Sequence, residues 1–177
     1  RKLYIDAVSD YKYFSGGIVR YISKGIEYSD DDIDNAGFYN WCENIFTGNS
    51  GSETRVLFVG KKLLTKMATI PTVEKQLDGG SVDVKWGLKF SRIESLYGEL
   101  LVKYHPLFDE VGWAEHGLVL DFANIEQAIF EPMKQTKLDL IKAGTKNVNA
   151  SVISEAYTTI TRYPATHAVI YPSSASV

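Results

Sequence analysis

The stretch TTITRYPATHAVIYP, from Thr158 to Pro172, decides how this chain completes its fold. Thr, Ile, Tyr and Val in alternation are typical of a half-buried strand, but Pro164 interrupts them with a residue that cannot donate to a ladder. Two interpretations are open. The stretch is either the edge of a catalytic sheet with His167 as its base, or a closing strand that only holds a shape.

The composition is that of an ordinary folded domain. The chain has 177 residues, of which 45% are hydrophobic and 23% are charged, and this length favours one domain, with two small lobes as the alternative. The formal net charge is -3, from 19 basic and 22 acidic side chains. Because nucleic-acid binders neutralise phosphates with a basic surface, we expect no specific nucleic-acid site.

Cysteine usage and hydropathy exclude further classes of protein. Cys42 is the only cysteine in the sequence, so an intramolecular disulfide and a cysteine-based zinc cluster are excluded, and a reducing compartment is preferred. No apolar run approaches the roughly 20 residues that a membrane helix needs, so we expect no membrane partner. The chain begins with Arg1 rather than Met, and we interpret it as a fragment or processed product.

Helix and strand patterns alternate in the first half of the chain. The paired glycines Gly16-Gly17 follow a strand-like opening and indicate a tight turn. From Asp30 to Gly48, apolar residues recur at three- and four-residue spacing, which predicts a helix with Cys42 as a buried, unreactive thiol. VLFVG predicts a strand covered on both faces, and KKLLTKMATI predicts a helix that Pro71 ends.

Strand patterns dominate the second half. TVEKQLDGGSVDVKWG indicates a loop or hairpin tip, and the segment from Leu88 to Leu107 predicts two strands broken near Tyr97-Gly98. GLVLDF predicts another strand. KQTKLDLIKAGTKNVNAS is a polar, turn-rich segment, and the segment from Ser151 to Tyr171 predicts the last strand. We therefore predict an α+β fold with a mixed sheet flanked by helices.

The best candidate for a chemical site is the loop from Asp109 to His116. Its carboxylates (Asp109, Glu110 and Glu115) beside His116 are the residue types of a metal site or an acid-base pair. The alternative is a solvated loop anchored by Trp113. We favour this alternative because no helical or hairpin spacing brings the ligands together.

Other catalytic patterns fail on spacing. Ser50 in GNSGS follows a helix, whereas a nucleophile elbow needs GxSxG between a strand and a helix. A P-loop needs a glycine where Arg55 stands, and Lys62 replaces its Ser or Thr. His105 and His167 have no partner at metal-ligand spacing. We therefore predict no catalytic residue, no cofactor and no metal site.

Several stretches, in order, resemble the later half of the major capsid proteins of certain tailed bacteriophages. Each is weak alone, and the succession carries the resemblance. The stretches are FSGGIVRYISKG, NIFTGNSGSETRVLFVG, SLYGELLVKYHPLFDE, VLDFANIEQ and SEAYTTITRYPATHAVIY.

The resemblance implies the capsid fold of tailed phages and herpesviruses, with residues 1–150 as an axial-type domain and residues 151–177 as a terminal strand returning to the peripheral domain, plus a tail. The family's arm, hairpin loop and spine helix would lie upstream of Arg1. Pro164 would belong to an edge or bulged strand that finishes the sheet.

The function implied by the resemblance is structural. The chain would be a non-enzymatic head protein that assembles with copies of itself, and with other virion proteins, into an icosahedral shell. It would reside in the virion and assemble in the host bacterial cytoplasm. The alternative is a small α+β enzyme or ligand-binding module that uses the loop from Asp109 to His116.

Overall fold

The computed structural model describes residues 2–5, 11–14, 17–48, 50–78, 82–85, 88–139 and 149–173. Contacts divide the chain into two units. The small unit combines Arg1–Gly17 with Glu126–Ile160, and the large unit combines Ile18–Ile125 with Thr161–Val177. The domain boundary predicted at residue 150 does not coincide with this division, and the axial and peripheral assignments remain a proposal.

The elements follow one another along the chain as a mixture of short strands and helices. In chain order they are β1 (Lys2–Ile5), β2 (Tyr11–Phe14), β3 (Lys24–Tyr28), α1 (Asn35–Phe46), β4 (Thr54–Val59), α2 (Lys61–Ala68), α3 (Pro71–Asp78), β5 (Val82–Lys85), β6 (Leu88–Glu94), β7 (Glu99–Tyr104), α4 (Pro106–Glu110), β8 (Gly117–Leu120), β9 (Ile125–Asp139), β10 (Asn149–Thr161) and β11 (Ala168–Pro172).

Seven strands of the large unit form one mixed sheet in the order β3-β11-β8-β4-β7-β6-β5. β11 runs parallel to β3 and β4 runs parallel to β7, whereas the other four neighbouring pairs are antiparallel. β1 pairs antiparallel with β2, and β9 pairs with β10. The predicted α+β class with a mixed sheet is confirmed.

The main core lies between the sheet and three helices, α1, α2 and α3. The predicted apolar face of the first helix is buried, and Leu57 and Val59 of β4 join it from the sheet. Val56 points to a second cluster on the opposite face. β4 is therefore covered on both faces, as its unbroken apolar sequence predicts.

The loop predicted after Pro71 is wrong in its first half. α2 ends at Ala68, three residues before Pro71, and Pro71 begins a further helix, α3, where a missing backbone N–H costs no hydrogen bond. Val73 of α3 is fully buried in the main core. A short polar helix with one buried residue has no repeating pattern of apolar residues, so the sequence does not indicate it.

The strand predicted from Ser151 to Tyr171 is two strands. Pro164 begins a 3-10 turn, Pro164–Thr166, and Tyr163 before it has φ +46, which breaks the extended chain. β11 then lies between β3 and β8, inside the sheet. The expectation that this stretch forms an edge strand is therefore wrong, because Pro164 interrupts the chain before the sheet rather than within it.

Candidate interaction surface

β9 and β10 pair to form a long two-stranded sheet, which we call the ribbon. Two contacts fix its register: the Arg162 N–H donates to the Asn124 carbonyl at 2.8 Å, and the Gln135 amide donates to the Ser151 hydroxyl at 3.1 Å. From Asn124, just before β9, to Gln135 the residue number rises, and it falls by the same amount from Arg162, just after β10, to Ser151. This identifies antiparallel pairing, with Asn124 opposite Arg162 and Gln135 opposite Ser151.

The register assigns the exposed apolar side chains to two faces of the ribbon. The odd face carries Ile129 opposite Tyr157 and Met133 opposite Ile153, each more than half exposed. Burial of each of these apolar side chains against a partner would be favourable in free energy. The even face carries three further exposed apolar residues, which are Phe130, Val152 and Ile160.

This surface was missed in the sequence, where residues 134–151 are interpreted as polar and turn-rich. The part up to Asp139 belongs to β9, the part from Asn149 belongs to β10, and residues 140–148 lie outside the described residues. A strand exposed on both faces has no alternation of apolar and polar residues, so its period is invisible. A contiguous exposed apolar surface on a folded protein indicates an interaction site.

A buried polar cluster, which we call the neck, lies within the large unit. Its centre is Asp121, which is fully buried at the end of β8. The Asp121 carboxylate accepts hydrogen bonds from the Ser52 backbone N–H (2.9 Å) and hydroxyl (2.7 Å), the Ala123 N–H (3.2 Å) and the Asn124 amide (2.9 Å). Burial raises the pKa of Asp121, but these donors outweigh burial and hold it below its usual value.

Arg55 is the cation of the neck. It is 1% exposed, and its guanidinium donates to the carbonyls of Ile45 and Thr166 and stacks on the Phe46 ring at 5.0 Å. Burial lowers the Arg55 pKa, and the nearby Asp121 charge opposes that shift. Arg55 thus ties the end of α1 to the turn that precedes β11.

His167 completes the neck as a structural residue. It is fully buried, and its Nδ1 accepts the Asp121 backbone N–H at 3.1 Å. Burial lowers the His167 pKa and Arg55 adds to this, whereas the Arg162 backbone and the Asp121 charge oppose it. A neutral imidazole in this position satisfies a backbone donor, which agrees with the closing-strand interpretation.

The loop from Asp109 to His116 does not bring its acidic residues together. Asp109 accepts from the Tyr104 hydroxyl (2.6 Å) and the Lys61 N–H (3.1 Å), which lower its pKa, while Glu115 faces Lys62 at 3.4 Å. The His116 ring stacks on the Trp113 ring with centroids 5.1 Å apart. Within the described ranges, no group of three or more His, Cys, Asp or Glu could hold a metal ion.

The remaining predicted residues have structural contacts. Cys42 is buried, as predicted, and burial raises its pKa to about 11; its lack of reactivity stays a prediction. The Ser50 carbonyl accepts from the Asn124 amide. Gly17 has φ +73, as a tight turn requires, and Gly16 lies outside the described residues. None of the helices in the described ranges is long and apolar enough to cross a membrane.

Comparison with known proteins matches nearly the whole chain to a protein family. Residues 4–174 match the family model described as SU10 major capsid protein. Among solved structures, the chain is similar to the crystal structure of a virus-like particle from Pyrococcus furiosus, with 13% identity and a TM-score of 0.44. That alignment covers 86% of this chain and 58% of the other. No curated protein matches.

Proposed function

Because the chain belongs to the SU10 major capsid protein family, we propose that it assembles with copies of itself into the icosahedral shell of a tailed bacteriophage. Its role in the virion is that of a structural capsid protein. The proposal extends this role to the tailed-phage capsid fold, to assembly in the cytoplasm of a bacterial host and to contacts with other virion proteins.

The family match over residues 4–174 is the observation that carries the proposal. The ribbon supports it independently, because a subunit that acts through contacts must present surface that is exposed before assembly and covered afterwards. Its two apolar faces allow two different neighbours to bind one subunit. Many modest contacts made at once stabilise a closed shell without any single strong site.

The two units suit different tasks in such a shell. We assign the axial role to the large unit, whose seven-stranded sheet and three helices enclose a closed core. We assign the ribbon to the peripheral region, in place of the boundary at residue 150 expected from the sequence.

A non-enzymatic role fits the chemistry of the candidate groups. Asp121, Arg55 and His167 are buried and committed to structural hydrogen bonds. Asp109 and Glu115 each have their own partners. We therefore assign the working parts of the molecule to its surfaces.

Expression from the complete reading frame tests this function. We expect closed shells or capsomers in negative-stain electron microscopy and a species far larger than a monomer in sedimentation velocity. The double variant Ile129→Ser/Phe130→Ser removes apolar surface from the odd face and from the even face of the ribbon. It should reduce particle yield without unfolding the large unit. A wild-type protein that stays monomeric under all assembly conditions contradicts the proposal.

A further inference from the structure

We propose that Glu131 and Glu155 form a two-carboxylate site on the odd face of the ribbon that binds Arg20 of a neighbouring copy of this chain. The proposal rests on the proposed function, since its partner is a second copy. It adds the chemistry that pairs one surface of the subunit with another.

The register places Glu131 directly opposite Glu155. Arg162 donates its backbone N–H to Asn124, so this pair is hydrogen-bonded, and residues an odd number of positions along each strand form non-hydrogen-bonded pairs. Side chains in such pairs are close, and like charges directly opposite destabilise a sheet. Both glutamates are exposed, and neither side chain has a hydrogen bond or ion pair within the described part of the chain.

The surroundings of the two carboxylates show what their partner must supply. Ile129 and Tyr157 lie on one side of them, and Met133 and Ile153 on the other, all more than half exposed. A surface that covers these apolar side chains also removes the carboxylates from water, which is costly unless it brings a cation. Two odd faces packed against each other would gather four carboxylates, so the partner is a different surface.

Arginine fits the site better than lysine. Its aliphatic stem can pack on the apolar pairs while its planar fork reaches two carboxylates at once. Four of the five arginines in the sequence do not qualify. Arg1 lies outside the described residues, and Arg55 is buried. Arg92 forms ion pairs with Glu94 and Glu99, and Arg162 already has an interaction within the chain.

Arg20 has the required setting. It is exposed on the 3-10 turn Val19–Tyr21, without an ion pair among the described residues, and both Val19 and Tyr21 beside it are exposed apolar side chains. Ile18 and Ile22, on either side of the turn, pack against a core cluster of the sheet. The turn thus presents a cation between two apolar side chains, and packing against the core holds it in place. The odd face presents the complementary arrangement, two carboxylates between apolar side chains.

A charge exchange tests the contact. We compare particle yield, by sedimentation and electron microscopy, for wild type, R20E, E131K/E155K and the triple variant R20E/E131K/E155K. Each partial variant should lose yield roughly tenfold or more, because truncated or reversed charge pairs at interfaces are costly. The triple variant exchanges the charges on every copy and should recover most of the yield. E74K and K75E reverse exposed charges on α3 and should leave yield unchanged.

The outcomes separate this proposal from the proposed function. If wild type forms particles and R20E forms them equally well, Arg20 is not the partner and the proposal fails. The same holds if the triple variant assembles no better than its parents. If wild type forms no particles, the proposed function fails, and the contact is then decided by disulfide trapping. R20C mixed with E155C should give a reducible dimer, and its absence overturns the proposal.

Discussion

Removal of the Asp121 carboxylate should destabilise the large unit more than any ordinary surface change. The substitution Asp121→Ala takes away the acceptor of four hydrogen bonds, three of them from Ser52 and Asn124. It also leaves the buried Arg55 without its nearby negative charge. The perturbation therefore acts on the neck alone, and no apolar core residue is touched.

The size of the effect follows from the donors that remain. Each buried donor left without an acceptor costs about 1–3 kcal/mol, and the buried Arg55 also loses the attraction of a nearby carboxylate. These costs overlap, because water enters the vacated space and serves several donors. We expect a total of about 4 kcal/mol, which lowers Tm by roughly 8–16 °C for a chain of this size.

Urea unfolding followed by tryptophan fluorescence measures this loss, since Trp41 is buried in the main core. Asp121→Asn keeps the shape but places an amide against donors, and should cost about 2–3 kcal/mol. Asp31→Asn, at an exposed position, should change stability by less than about 0.5 kcal/mol. If Asp121→Ala costs no more than Asp31→Asn, the neck does not stabilise the fold and the reasoning is refuted.

Three further predictions concern buried groups. Because the His167 pKa is lowered in the folded state, the unfolded chain binds more protons below its ordinary pKa of 6.5, so stability relative to His167→Asn should fall from pH 7 to pH 5 in urea titrations. Cys42 should not react with a thiol reagent at pH 8 until urea unfolds the chain, since its pKa is about 11. Gly60→Ala should cost about 2–3 kcal/mol, because the new Cβ would lie 2.4 Å from the Trp113 carbonyl oxygen. Gly112→Ala, with φ +80 and open space, should cost only about 1 kcal/mol in the same assay.

The sequence predicts those elements whose burial follows a local period. The helix that contains Phe38 and Cys42, the doubly covered β4 and the break between β6 and β7 at Gly98 all appear as expected. Each is determined by neighbours a few residues away. Long-range pairing has no such signature, so the position of β11 inside the sheet could not be predicted.

The candidate site was predicted less well, for two physical reasons. The ribbon is exposed on both faces, so no apolar period marks it. The neck unites Arg55 and Asp121, which lie far apart in the sequence and become neighbours only through the sheet. A weak sign of the neck does exist in the sequence, because Arg55 directly precedes the apolar run VLFV of β4 and Asp121 directly follows the apolar run GLVL of β8.

The order of strands has a consequence for synthesis on the ribosome. β11 is made after the other described strands of the sheet, yet it pairs with β3 on one side and β8 on the other. Until Pro172 has left the ribosomal tunnel, β3 has no partner in the sheet and β8 is open along one edge. A nascent chain interrupted before Ala168 therefore lacks the strand that joins β3 to the rest of the sheet.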